Sequence, residues 1–186
     1  TGTARSGTSL MMQTLALLGV PMCAPKFLPL HEPIKDFNKN GFYELDIWDG
    51  ITTDEYKDKA IKLFGYQYFK TPLEKISKTI RINRDKKDTI ESYNRIKEKM
   101  PPEYHVDSEK LYDMNNYYID KKENDNKIEI ELNEFCRTKN VEQIISYLGI
   151  TPTSEQINNA KNNIQCQPHI SSLLYYYYIK LYLNFK

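Results

Sequence analysis

The sequence predicts an α/β domain built on a small, mainly parallel sheet flanked by helices, and three observations lead there. Short strand-like runs alternate with longer helix-like ones along the chain. The opening residues end in a glycine-containing turn that passes directly into an apolar helical pattern. The chain has 186 residues, 22.0 kDa and 40% hydrophobic residues, enough for one core and too little for two. A single domain over 1-186 is therefore expected.

Taken in order, Thr1 to Thr3 read as the last residues of a strand, whose earlier part is expected upstream of Thr1 unless the sheet is reduced. Leu10 to Leu18 carry the helix pattern, and Gly19 followed by Pro21 stops it. Residues 20 to 43 are proline-rich and aperiodic, which predicts a long loop of the kind that often carries function. Thr52 with Glu55 forms a capping box for a helix burying Tyr56, Ala60, Leu63 and Phe64 and ending near Gly65.

Two strands are predicted next, Tyr66 to Lys70 and Thr79 to Asn83. Asp88 is placed to cap a helix carrying Ile90, Tyr93, Ile96 and Met100, and a second helix covers Glu103 to Lys122 after the Pro101-Pro102 break. Lys127 to Leu132 alternates like a strand, Asn140 with Gln143 caps a helix ending at Gly149, and another helix begins at Ser154. The aromatic run Ser171 to Phe185 is helix-compatible without a clear period.

Composition narrows the function classes. Lys and Arg total 26 against 25 for Asp and Glu, so no global charge points to nucleic acid or to an anionic membrane surface, and an anion site must be local. No apolar run approaches the roughly 20 residues of a membrane helix. Cys23, Cys136 and Cys166 are odd in number with no CxxC pair, which predicts reduced thiols in a cytoplasmic protein and no zinc site.

The chemistry concentrates at Gly2-Thr3-Ala4-Arg5-Ser6-Gly7-Thr8-Ser9, which has the two glycines of a GxxxxG phosphate loop between a strand end and a helix start. Such loops hold anions because glycine allows close backbone approach, amide hydrogens converge, and the helix N-terminus adds partial positive charge. Thr8 stands where a triphosphate-binding loop has lysine. Arg5 is the only cation nearby, so a grip on β and γ phosphates is not expected.

Arg5-Ser6-Gly7-Thr8-Ser9 resembles the 5′-phosphosulfate loop of sulfotransferases that use 3′-phosphoadenosine 5′-phosphosulfate (PAPS), with Ala4 in place of the usual proline. A second likeness lies at Arg84, which follows the run Ile80-Arg81-Ile82-Asn83 and precedes Ser92 by eight residues. In that family an arginine and a serine so placed grip the 3′-phosphate. The resemblance implies a three-layer fold like that of P-loop NTPases, PAPS as co-substrate without a metal, and Arg5, Ser6, Gly7, Thr8, Ser9, Arg84 and Ser92 as its binding residues.

For the base, Gly41 to Asp49 is similar to a segment of heparan sulfate sulfotransferases, which implies Glu44 as the proton acceptor and a carbohydrate as the acceptor substrate. Cytosolic sulfotransferases instead use a histidine after Lys-Thr. Here Lys70-Thr71-Pro72 keeps the lysine, which could steady the sulfuryl group, but not the histidine. His31 is a reserve base, and His105 and His169 have no supporting pattern. Two other readings stay open at this point: a P-loop kinase or NTPase, and a nucleotide-binding module without catalysis.

Overall fold

The computed structural model describes residues 1–28, 38–45, 47, 50–97, 102 and 105–165. The expectations for His31, Trp48, Met100, Cys166, His169 and the segment from 171 to 185 lie outside the described residues. The helices are α1 (Thr8–Leu17), α2 (Gly65–Lys70), α3 (Lys86–Lys97), α4 (Ser108–Asp120), α5 (Leu132–Thr138), α6 (Glu142–Leu148) and α7 (Ser154–Asn163). Two strands, β1 (Thr79–Asn83) and β2 (Lys127–Glu131), pair in parallel with Ile82 opposite Ile130.

The sheet continues beyond its two formal strands. Gly2 bridges Ile82 on one side and Phe64 on the other, both parallel, and Ala60 bridges Met22. The order across the layer is thus Met22, the segment 60–64, Thr1-Gly2, β1 and β2. Alternation along β1 separates its two faces. Ile80 and Ile82 join a core with Met11, Met12, Leu15 and Leu18 of α1 and with Ile144 and Ala160 of α6 and α7. Arg81 points the other way and meets Asp120 and Asn116 of α4, so helices cover both faces.

Several local expectations hold. α1 ends at Leu17 with Gly19 at φ 86° just beyond it. Thr79 to Asn83 and Lys127 to Glu131 are strands. Asn140 Oδ1 accepts from the Gln143 N–H at 3.3 Å ahead of α6, which stops at Gly149 with φ 69°. Ser154 opens α7, with Thr153 as its cap.

Others are corrected. The helix expected from Thr52 to Gly65 is only a single turn at Asp54–Tyr56; after a turn at 57–58 the chain makes strand-like bridges at Ala60 and Phe64. Asp58 takes a left-handed φ of 59°, and the Ala60 backbone bonds to Pro21 and Cys23, so sheet pairing outcompetes the helical spacing of Tyr56, Ala60 and Leu63. Conversely, Tyr66 to Lys70 is the helix α2, not a strand. Asn115 Oδ1 caps the Gly65 N–H at 3.0 Å and Gln67 Oε1 accepts from the Phe64 N–H at 3.0 Å. Those two bonds satisfy donors that a helix start leaves open.

Ahead of α3 the capping carboxylate is Asp85, which accepts from the Asp88 N–H at 3.1 Å; Asp88 itself sits in the first turn. α4 starts at Ser108, later than Glu103, where Asp107 caps Glu109 and Lys110. Cys23 is a free thiol, while Cys136 is disulfide-bonded, which corrects the expectation of three reduced thiols. Among the described residues no helix is long and apolar enough to cross a membrane.

Candidate functional site

The loop between Gly2 and α1 is shaped by two left-handed residues, Arg5 at φ 71° and Gly7 at φ 102°. Arginine is rare in that region and costs strain there, a feature that clusters at functional sites. Glycine at position 7 is required twice over. A Cβ there would adopt an unfavourable φ and come within 2.6 Å of Leu132 Cδ1, at the start of α5. Gly2 is equally confined, since its Cβ would lie 2.5 Å from Ser6 Oγ and 2.8 Å from the Ile82 carbonyl oxygen.

Within the loop, Ser6 is fully buried and its hydroxyl donates to the Thr3 carbonyl at 2.8 Å, so it fixes the turn. Gly7 precedes α1 with no side chain capping the helix. The N–H groups of the first turn, from Thr8 and Ser9 onward, have no partner inside the helix and carry its positive end.

The second signature comes to the same place. Ser92, 1% exposed on α3, accepts from Arg5 Nε at 3.1 Å and from a terminal Arg5 nitrogen at 2.9 Å. A terminal nitrogen of Arg84 donates to the Arg5 carbonyl at 3.1 Å. Residues 79 and 87 positions apart in sequence thus meet. Ser92 accepts both bonds through its oxygen and keeps its hydrogen for a further acceptor.

Arg84 is half-buried, and its Nε is a buried donor without a partner. It forms no ion pair within 4 Å among the described residues. Asp88, the acid four positions on, instead accepts from Asn133. Burial pulls the Arg84 guanidinium below its ordinary range, with Asp88 opposing. A buried, unmatched donor on a cation calls for an acceptor, and an anion supplies one. Arg81 Nε is also orphaned, but its guanidinium is already matched by Asp120 at 2.5 Å and Glu129 at 3.6 Å.

Glu44 is 4% exposed and lies against the loop through a residue that the sequence reading missed. Lys62 pairs with Glu44 Oε1 at 2.5 Å and also donates to Ser9 Oγ at 3.1 Å and to the Phe42 carbonyl at 2.7 Å. Burial lowers the Lys62 pKa, Glu44 opposes that, and the nearby Arg5 charge adds to the lowering. The Glu44 segment is anchored by α1: Gln13 Nε2 donates to Asn38 Oδ1 and to the Gly41 carbonyl, and Phe42 is fully buried.

Lys70 is not brought to this cluster. It sits exposed in the last turn of α2 with its ammonium 5.4 Å from the centre of the Tyr66 ring. Lys70-Thr71-Pro72 is a helix stop, where buried Thr71 donates to the Gln67 carbonyl and accepts from the Ile51 N–H. The strand beside Gly2 is the segment 60–64, and the lysine it delivers is Lys62. The signal was a lone lysine inside the apolar run Ala60-Ile61-Lys62-Leu63-Phe64. His105 is exposed in the segment ahead of α4.

The assembled site is therefore a glycine loop at a helix N-terminus ringed by Arg5, Arg84 and Lys62, with Ser9 and Ser92 as hydroxyl partners and Glu44 bonded to Lys62. It can bind a group bearing two separated anions. Compared with protein-family models, curated proteins and solved structures, the chain matches none of them.

Proposed function

We propose that the chain is a sulfotransferase of P-loop-like fold that binds PAPS and passes its sulfuryl group to an acceptor hydroxyl or amine, a carbohydrate by the Glu44 resemblance. The observation that carries this reading is the convergence of Arg5, Ser92 and Arg84, with Arg84 Nε left as a buried donor. A loop lacking the triphosphate lysine but joined to a second arginine–serine pair suits a nucleotide with one anion at its 5′ end and another at its 3′ position. That arrangement disfavours a kinase or NTPase.

In the proposed reaction the acceptor oxygen or nitrogen forms a bond to sulfur while the bond from sulfur to the bridging oxygen breaks. The electron pair stays on the 5′-phosphate, and the acceptor proton goes to Glu44. Arg5 and the α1 N-terminus offset charge on the leaving phosphate, and Lys62 takes the place first given to Lys70. Because the Glu44 carboxylate is paired with Lys62, proton transfer requires that pair to loosen as the acceptor enters. With Cys136 in a disulfide, the thiol argument for a cytoplasmic location falls away, and the proposal concerns the reaction alone.

The test is calorimetric titration with 3′-phosphoadenosine 5′-phosphate and with ATP, on the native chain and on Arg84→Ala. Binding of the first ligand only, weakened at least about tenfold in the variant, is expected for one charged bidentate contact. Equal binding of both nucleotides, or of neither, overturns the proposal. Binding of the first ligand without transfer to any acceptor would leave the non-catalytic module.

A further inference from the structure

The segment that delivers Glu44 is strained just before it. Gly41 takes φ 102° and Tyr43 a left-handed φ of 52°. Glycine tolerates that region, but tyrosine is rare there, and such a conformation persists only where the surroundings impose it. Two clamps impose it here, and both draw on α1, where Ser9 and Gln13 stand one turn apart on the same face.

At the first clamp, buried Gln13 donates from Nε2 to Asn38 Oδ1 at 2.7 Å and to the Gly41 carbonyl at 2.8 Å, and Asn38 Nδ2 donates to the same carbonyl at 2.9 Å. Asn163 of α7 donates to Gln13 Oε1 at 3.4 Å, which fixes the end of the amide that faces Gly41. At the second clamp, Lys62 links Ser9 Oγ to the Phe42 carbonyl and to Glu44. Tyr43 lies between the two, packed against the main core. Satisfying a buried carbonyl does not account for Gln13, because Asn38 already donates to the Gly41 oxygen. What Gln13 adds is a tie from that turn to the helix that opens at the glycine loop.

We propose that Gln13 is a positioning residue: through Asn38 and Gly41 it holds the strained turn at Tyr43 so that Glu44 meets Lys62 in fixed register with the glycine loop. Because the loop and both clamps share one helix, the anion site and the carboxylate keep their spacing as a unit. The value of that register for catalysis rests on the sulfuryl-transfer reading. The contact itself does not, and the test reads the contact alone.

The experiment follows, by NMR, the exchange with water of the Lys62 ammonium protons, which burial and three oxygen acceptors protect. Four proteins are compared without ligand: the native chain, Gln13→Met, Asn38→Ala and Thr14→Val. Gln13→Met keeps the side-chain length and deletes the amide. Asn38→Ala removes the same clamp from its other end and carries the test if Gln13→Met folds poorly. Thr14→Val deletes a buried hydrogen bond from the adjacent residue of α1, to the Leu10 carbonyl, without touching the 38–44 segment. Exchange should rise on the order of tenfold or more in the first two variants and stay within about twofold of native in Thr14→Val. Unchanged exchange in Gln13→Met and Asn38→Ala overturns the proposal. So does an equal rise in Thr14→Val, which would mark general loosening of α1. Nucleotide binding has no part in the readout, so failure of the sulfuryl-transfer reading would leave the result standing.

Discussion

The Lys62–Glu44 pair offers the sharpest test of the site, because both side chains are nearly sequestered, at 2% and 4% exposure. The Lys62 ammonium makes three contacts, at 2.5 Å to Glu44, 2.7 Å to the Phe42 carbonyl and 3.1 Å to Ser9 Oγ. Lys62→Met keeps the length of the side chain and deletes the charge, leaving a buried carboxylate without its ammonium. Removing one partner of such a pair costs about 3–5 kcal/mol, whereas replacing both with apolar groups is often near neutral. Lys62→Met and Glu44→Leu should each fall in that range, and the double variant should lose far less than their sum.

Urea unfolding of the four proteins measures the cycle, with unchanged m-values as the check that compactness is preserved. The pH dependence gives a second readout. Burial holds Lys62 below its ordinary 10.5 when folded. In the window from that lowered value up to 10.5 the unfolded chain binds more protons, so this residue makes stability rise with pH, and Lys62→Met should remove the rise. Single variants costing under about 1 kcal/mol, or strictly additive effects, would refute the buried pair and with it the placement of Glu44 beside the loop.

Two other substitutions separate packing from recognition. A Cβ at Gly65 would lie 2.4 Å from the Asn115 carbonyl oxygen and 2.7 Å from its Cα, both backbone atoms, so Gly65→Ala must push α2 off α4; a loss of about 1–3 kcal/mol in urea unfolding is expected. Arg84→Lys keeps the charge but not the fork that reaches the Arg5 carbonyl and presents Nε, so it should bind 3′-phosphoadenosine 5′-phosphate nearly as poorly as Arg84→Ala, read by calorimetry. Full rescue by lysine would mean that charge alone matters there.

What the sequence disclosed followed from local rules. The strand Thr79 to Asn83 rests on short-range alternation and forms as expected, and the structure brings Arg84 and Ser92 to the glycine loop through Arg5. What it concealed depended on distant partners. The segment from Tyr56 to Phe64 carries helical spacing, yet Pro21 and Cys23 bond to Ala60 and draw it into the sheet. Read as a helix, that segment puts Lys62 on a solvated face; read as a strand, it puts Lys62 against Glu44. The Tyr66 to Lys70 run erred in the opposite sense, because Asn115, fifty residues on from Gly65, supplies the helix cap.

Lys62 and Arg84 differ in how fully they are satisfied, and that difference separates them. Lys62 is matched by a carboxylate and two oxygens. Arg5 donates from two nitrogens to the Ser92 hydroxyl. Arg84 keeps a donor buried and unmatched. An incoming anion therefore gains more at Arg84 than at Lys62. Arg84 and Arg5 are joined through the Arg5 carbonyl, so binding at one is felt in the backbone of the loop that holds the other. Under the proposed function, an anion would first engage Arg84, and the Lys62–Glu44 pair would serve the step in which the acceptor loses its proton.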